Sequence, residues 1–161
     1  MDDVKQLASI AKDEPQISLT AYSKALCMRW CFVQRTISNI SHLFQPLEEV
    51  IREELIPAIV GRKISDVERK ILALPVRFGG IGILNPMETA EIEFNCSLGI
   101  TAELKNMIYN QETTLENYNE ESVTTSIKKM KADKENRLET EFDSIKAQVS
   151  ESMMRNLDLT R

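Results

Sequence analysis

Glycine and proline are scarce in this chain of 161 residues, five of each. With Leu, Ile, Glu and Lys abundant, that scarcity favours helix over sheet. Histidine is rarer still: His42 stands alone, which removes most nucleophile–base arrangements. No apolar run approaches the length of about 18 residues that a membrane span needs, so no membrane partner is expected. A basic surplus is missing as well. The net charge is −5 and the pI is near 5.1, unlike the positive balance of a dedicated nucleic-acid binder. Cys27, Cys31 and Cys96 are an odd number with no disulfide framework, which suits a reducing compartment. The acidic opening MDDVKQLASIAKDEPQ lacks the basic-then-apolar order of a secretory signal. An intracellular protein, cytoplasmic or nuclear, is the expectation.

What is present reads almost wholly as helix. VKQLASIAK predicts a short first helix closed by Pro15. From Gln16 to about Thr36, the spacing of Leu19, Tyr22, Leu26, Trp30 and Val33 at steps of three and four predicts one continuous helix with an apolar stripe. Pro46 suits a first helical turn, with Pro57 expected to kink or end that helix near Leu55 and Gly61 to stop it. Ser65 and Glu68 stand in capping-box order, so a helix starts there and Pro75 closes it. Asn85 and Pro86 repeat the start signal; Gly99 is expected to end that helix and Thr101 to begin another.

The fold class predicted is all-α: an irregular bundle of about five to six helices plus a long C-terminal amphipathic helix. Residues 1–110 form the bundle, the polar stretch 111–121 an acidic linker, and 122–161 a long charged helix with coiled-coil character. Along this last segment Val123, Ile127, Met130, Leu138, Phe142, Ile145, Val149 and Met153 make a thin stripe, which asks for a helix–helix partner or the surface of a larger protein. The acid is concentrated locally. Residues 82–121 carry a net −7, while the stretches on either side carry +1 each. Within 62–77 the balance turns basic, with Arg62, Lys63, Arg69, Lys70 and Arg77 against Asp66 and Glu68.

A search for chemistry finds little. The run GGIG has neither the glycine spacing nor the lysine of a phosphate-binding loop. Cys27 and Cys31 have a helical spacing that can hold zinc, but only His42 and Cys96 could complete the set, so buried helix cysteines are expected, with no metal and no cofactor. Glu48 with Arg52, and Asp66 with Lys70, read as solvated i,i+4 pairs. Glu49, Glu53 and Glu54 read as a solvated acidic strip. No catalytic residue is assigned.

The most distinctive stretch is LPVRFGGIGILNP, residues 74–86, which holds three of the five glycines. Together with Arg35-Thr36-Ile37, Gln45-Pro46-Leu47-Glu48 and Ile56-Pro57-Ala58-Ile59-Val60-Gly61-Arg62, it resembles the segment that follows the polymerase palm in retroelement reverse transcriptases. That family carries R-T-I, L-Q-P-L-E, I-P-A-L-T-G-R and L-P-x-R-x-G-G-L-G-I-x-N-P in this order. The likeness covers roughly residues 5–110, with Val60 departing from the usual threonine. It implies a helical thumb or connection region gripping a primer–template duplex. It implies no catalysis, because the paired metal-binding aspartates of the family lie upstream in the palm and the only Asp-Asp here is Asp2-Asp3.

The leading expectation is therefore a non-catalytic fragment or remnant of a retrotransposon reverse transcriptase. Its partners would be an RNA–DNA or DNA duplex, or the palm of a longer chain. Backbone phosphates would be met by Arg62, Lys63, Arg69, Lys70 and Arg77, with the amides of Gly79 and Gly80. The same loop also reads as a packed interhelical connection, with Phe78, Ile81, Ile83 and Leu84 tucked inward. The alternative function is a helical protein–protein interaction module with a coiled-coil-like tail and no nucleic-acid role.

Overall fold

The computed structural model describes residues 1–111 and 120–149, and among these every regular element is helical. Helix α1 (Asp2–Ala11) turns through Pro15 into α2 (Pro15–Lys24). The two are stapled where the buried Ser18 hydroxyl donates to the Leu7 carbonyl at 2.8 Å.

The continuous helix expected over 16–36 is broken. Ala25 leaves helical geometry (φ −127°, ψ −58°), a 3-10 turn follows over Leu26–Met28, and α3 restarts at Cys31–Thr36. No glycine or proline forces the break. Side chains compete for the backbone instead: Thr20 donates to Gln16, Ser23 to Thr20 and the Cys27 thiol to Ser23. Packing gains from it, because the re-aimed Trp30 joins two clusters, while Val33 leaves the stripe and is exposed.

After a 3-10 turn (Ser41–Phe44), α4 (Gln45–Val50), a π turn (Ile51–Leu55) and α5 (Ile56–Val60) run without interruption. Pro57 neither ends nor breaks this run. A proline ring collides with the carbonyl four residues back and offers no N–H. The wide turn just ahead absorbs both defects, with Ile56 N–H donating to Ile51 O. It also brings Ile51, Leu55 and Ile56 into the main core, all fully buried, with Val4, Ala8, Tyr22, Val50 and Ile83. Gly61 (φ 78°) stops α5 as expected.

Helix α6 (Asp66–Ala73) opens on the capping box: Ser65 N–H donates to Glu68 Oε2 at 2.8 Å, and Glu68 N–H to Ser65 Oγ at 3.3 Å. A 3-10 turn (Val76–Phe78) and the glycine loop lead to α7 (Pro86–Tyr109), where Asn85 Oδ1 accepts from Met87 N–H at 3.0 Å. Helix α7 does not end at Gly99. A Cβ there would lie 2.6 Å from Met130 Cε of α8 (Glu120–Lys146). Gly99 is a notch for a neighbouring helix rather than a stop.

Of the long helix expected over 122–161, α8 is the described part, and residues 150–161, with Met153, lie outside the described residues, as do 112–119 of the linker. The stripe on α8 finds a surface within its own chain. Phe142 and Ile145 are buried on Ile71, Leu74 and Phe78, with Leu138 and Val149 beside them. The rings of Phe78 and Phe142 sit 4.8 Å apart. Among the described residues no helix is long and apolar enough to cross a membrane.

Candidate nucleic-acid interface

The glycine loop is built from the backbone inward. Gly79 and Gly82 take positive φ (80° and 74°). A Cβ on Gly80 would lie 1.9 Å from Leu74 O and 2.4 Å from Ile71 O, so only glycine fits there. Every amide from Phe78 to Leu84 donates to a carbonyl of the chain: Gly79 to Val76 at 2.9 Å, Gly80 to Pro75 at 3.3 Å, Gly82 to Leu74 at 3.0 Å, and Ile81 and Ile83 to Leu72. The amides of Gly79 and Gly80 are thus spent on the chain's own carbonyls and are not offered to a phosphate. The packed-connection reading of the loop describes this geometry. Phe78 and Ile83 are buried as that reading requires, while Leu84 is exposed.

Arg69 is also withdrawn from the surface. Nε and Nη2 reach the two oxygens of Glu48 at 2.7 Å each, and Nη1 donates to Ile83 O at 2.7 Å. Arg69 is 4% and Glu48 8% exposed, so this bidentate pair is internal and ties α4 to α6 and to the end of the glycine loop. The expected Glu48–Arg52 pair does not form. Arg52 reaches Glu53 and Asp66 instead, which also removes Asp66 from Lys70. Next to this cluster the phenol of Tyr22 titrates above its ordinary range, because burial outweighs the pull of Arg69.

The four remaining basic residues fall in three places. Arg77 grips Glu135 of α8 at 2.5 and 2.7 Å, its guanidinium 5.0 Å from the Phe78 ring centre. Lys70 faces a cleft shared with Arg137, Glu88 and Glu141. Burial and Glu88 raise the Glu141 carboxyl, with Arg137 and Lys70 pulling it down. Arg62 and Lys63 follow Gly61 and meet Lys5 of α1 and Lys12, which caps its C-terminal end, around an open groove of about 630 Å³, walled by Glu53, Glu54 and Pro57. There Arg62 pairs with Glu68 at 2.5 Å and Lys5 with Glu54 at 3.4 Å. Arg62 and the Ser65 N–H hold the Glu68 carboxyl down to about 2. Lys12 and Lys63 have no ion pair among the described residues.

Two features escaped the sequence. Lys5 and Lys12 stand seven apart, Lys12 closing α1 in helical geometry, a spacing that places them on one face with Ala8 and Ser9; the period is present in the sequence. The Glu48–Arg69 pair joins residues 21 apart, and no local pattern signals it. Among the described residues no three His, Cys, Asp or Glu side chains gather as a metal-binding set. Compared with protein-family models, curated proteins and solved structures, the chain matches none.

Proposed function

We propose that this chain is a non-catalytic helical module of the kind that follows the palm in retroelement reverse transcriptases, and that it works by docking on a protein body. The observation that carries this reading is a set of large apolar side chains left exposed on α3 and in the turns that follow it. Phe32 is 74%, Ile37 51% and Leu43 65% exposed, in a stretch that includes the Arg35-Thr36-Ile37 motif. Contiguous exposed apolar patches mark interaction surfaces, and this reading takes these three side chains as part of one. In this reading the partner is the palm of a polymerase. Titration calorimetry against a separately expressed retroelement palm tests it: binding is expected, and Phe32→Asp with Ile37→Asp should abolish it. Equal heats with both forms would count against the docking face.

Duplex holding enters as a second role through the groove of Lys5, Lys12, Arg62 and Lys63, which keeps only Arg62 and Lys63 of the original phosphate set. Four backbone contacts give a log–log salt slope of up to roughly −3 to −4. Fluorescence anisotropy of a labelled RNA–DNA duplex across salt measures it. Absence of binding at low ionic strength leaves the protein-interaction module, without a nucleic-acid role, as the function.

A further inference from the structure

Helix α8 is held to the rest of the chain by little. Of its residues only Phe142 and Ile145 are buried, both against Ile71, Leu74 and Phe78. Its other ties include two ion pairs with half-exposed bases, Arg77–Glu135 and Lys134–Glu93, and such pairs hold weakly in water. Beside the buried anchor lies a cleft shared by three helices. Lys70 lines it from α6, Glu88 from α7, and Arg137 and Glu141 from α8. Leu74, Leu84 and Leu138 make an apolar wall next to the same Glu88, Arg137 and Glu141. Two acids and two bases thus meet there. Yet among the described residues none of the four makes an ion pair or a side-chain hydrogen bond. Glu141 is half-buried, and it directly precedes the Phe142 anchor.

We propose that α8 is a proton-sensitive strap: Glu141 seats it firmly when protonated and loosens it when ionised, uncovering the apolar face of Ile71, Leu74 and Phe78. A carboxylate that loses water without gaining a donor is favoured in its neutral form. Burial acts first on Glu141 and Glu88 second, while Arg137 and Lys70 offset only part of the two. Lys134, a turn or two back on α8, is engaged by Glu93. With α8 seated, the Glu141 carboxyl therefore titrates above its ordinary 4.5. The cost of the ionised form is fully present above that raised value, fades as pH falls toward 4.5 and is gone below it. Glu93 has the opposite sign. Burial pushes its carboxyl up, but Lys134 and Arg35 together pull it below 4.5, so the tie between α7 and α8 survives this window and yields only in stronger acid. The seat of α8 is tightest between the two transitions. The proposal does not rest on the docking role.

The test uses the full chain, isotope-labelled for magnetic resonance, with amide exchange at Phe142 and Ile145 expressed relative to unprotected peptide at each pH. Protection there should rise as pH falls from 7 to about 5. Glu141→Gln, which carries no charge at any pH, should show the higher protection already at pH 7 and lose the pH dependence over this range. Glu88→Gln, at an exposed position, should shift protection the same way. Lys70→Met should shift it the other way, because it removes an attraction and leaves the repulsion. A carbon-13 titration of the Glu141 carboxyl separates charge from packing: its midpoint should lie above 4.5 in the parent and move down toward it in Glu88→Gln. Protection on α8 that is the same in the parent and Glu141→Gln throughout, or lower in Glu141→Gln at neutral pH, would overturn the strap. So would a Glu141 midpoint at or below 4.5, or one that Glu88→Gln leaves in place.

Discussion

Replacing Arg69 by Met would keep an unbranched apolar stem and delete the guanidinium with its charge. Glu48 would then hold a carboxylate that is 8% exposed with its bidentate partner gone, and Ile83 O would lose the donor at 2.7 Å. Breaking one half of a buried ion pair costs about 3–5 kcal/mol, and an orphaned buried acceptor about 1–3 kcal/mol. These overlap, so the loss should be about 3–5 kcal/mol in all. Against a typical total of about 5–15 kcal/mol, that is enough to bring the chain close to unfolding. Urea denaturation followed by helical circular dichroism reads it directly. The double variant Glu48→Leu/Arg69→Met separates the pair's geometry from its charge: replacing a buried pair by apolar side chains is often neutral or stabilising by about 1–4 kcal/mol. It should therefore recover most of what Arg69→Met loses. Arg69→Lys should recover little, because an ammonium cannot make the fork. A loss below about 1 kcal/mol in Arg69→Met, against the expected range, would refute the view that this pair joins α4, α6 and the loop. So would a double variant as unstable as the single.

Three further outcomes follow. Gly80→Ala should destabilise by at least about 3 kcal/mol, beyond ordinary overpacking, because its Cβ would meet the backbone of Leu74 and Ile71; a urea midpoint near the parent's would contradict the packed loop. Phe142→Ala should cost about 3–5 kcal/mol and raise amide exchange along α8 before the rest of the chain, whereas uniform exchange would mean that α8 does not rest on Phe78 and Leu74. Glu68 has its carboxyl held down to about 2 by Arg62 and Ser65, so its contribution is fully present above the unfolded value of about 4.5 and fades as pH falls through the folded one. The urea-midpoint gap between the parent and Glu68→Gln should stay constant from pH 7 to about 5 and close toward pH 2; a gap that widens in acid has the wrong sign.

Local chemistry was legible in the sequence and distant chemistry was not. Ser65–Glu68 and Asn85–Pro86 set helix starts through bonds three residues long or shorter, so they read correctly from the string. The glycine loop read correctly as a tight connection, but its pairing partners, Leu72 and Leu74, became visible only once α6 was in place. Gly99 misled, and Pro57 in part, for one reason: Gly99 reads as a stop, and Pro57 as a kink or an end, within its own helix. The helix ends do not occur, while a π turn over Ile51–Leu55 does interrupt the regular α-helix ahead of Pro57. The notch for Met130 and the π turn before Pro57 are answers to packing from elsewhere. Glu48 shows the same limit. Its near partner, Arg52, is the cheap solvated choice, and burial beside Arg69 wins because both charged groups lose water together and satisfy each other. The basic cluster at 62–77 was contiguous in sequence, yet a helix and two turns scatter it over the interior and three separate surfaces.

The most direct measurement of the account is primer extension by a separately expressed retroelement palm, with and without this chain, read as the length of the products. With the chain present the products should lengthen, an effect lost in Phe32→Asp, while the chain alone incorporates nothing. Product lengths that are the same in its presence and absence, at concentrations where the palm is active, would contradict the docking-module account.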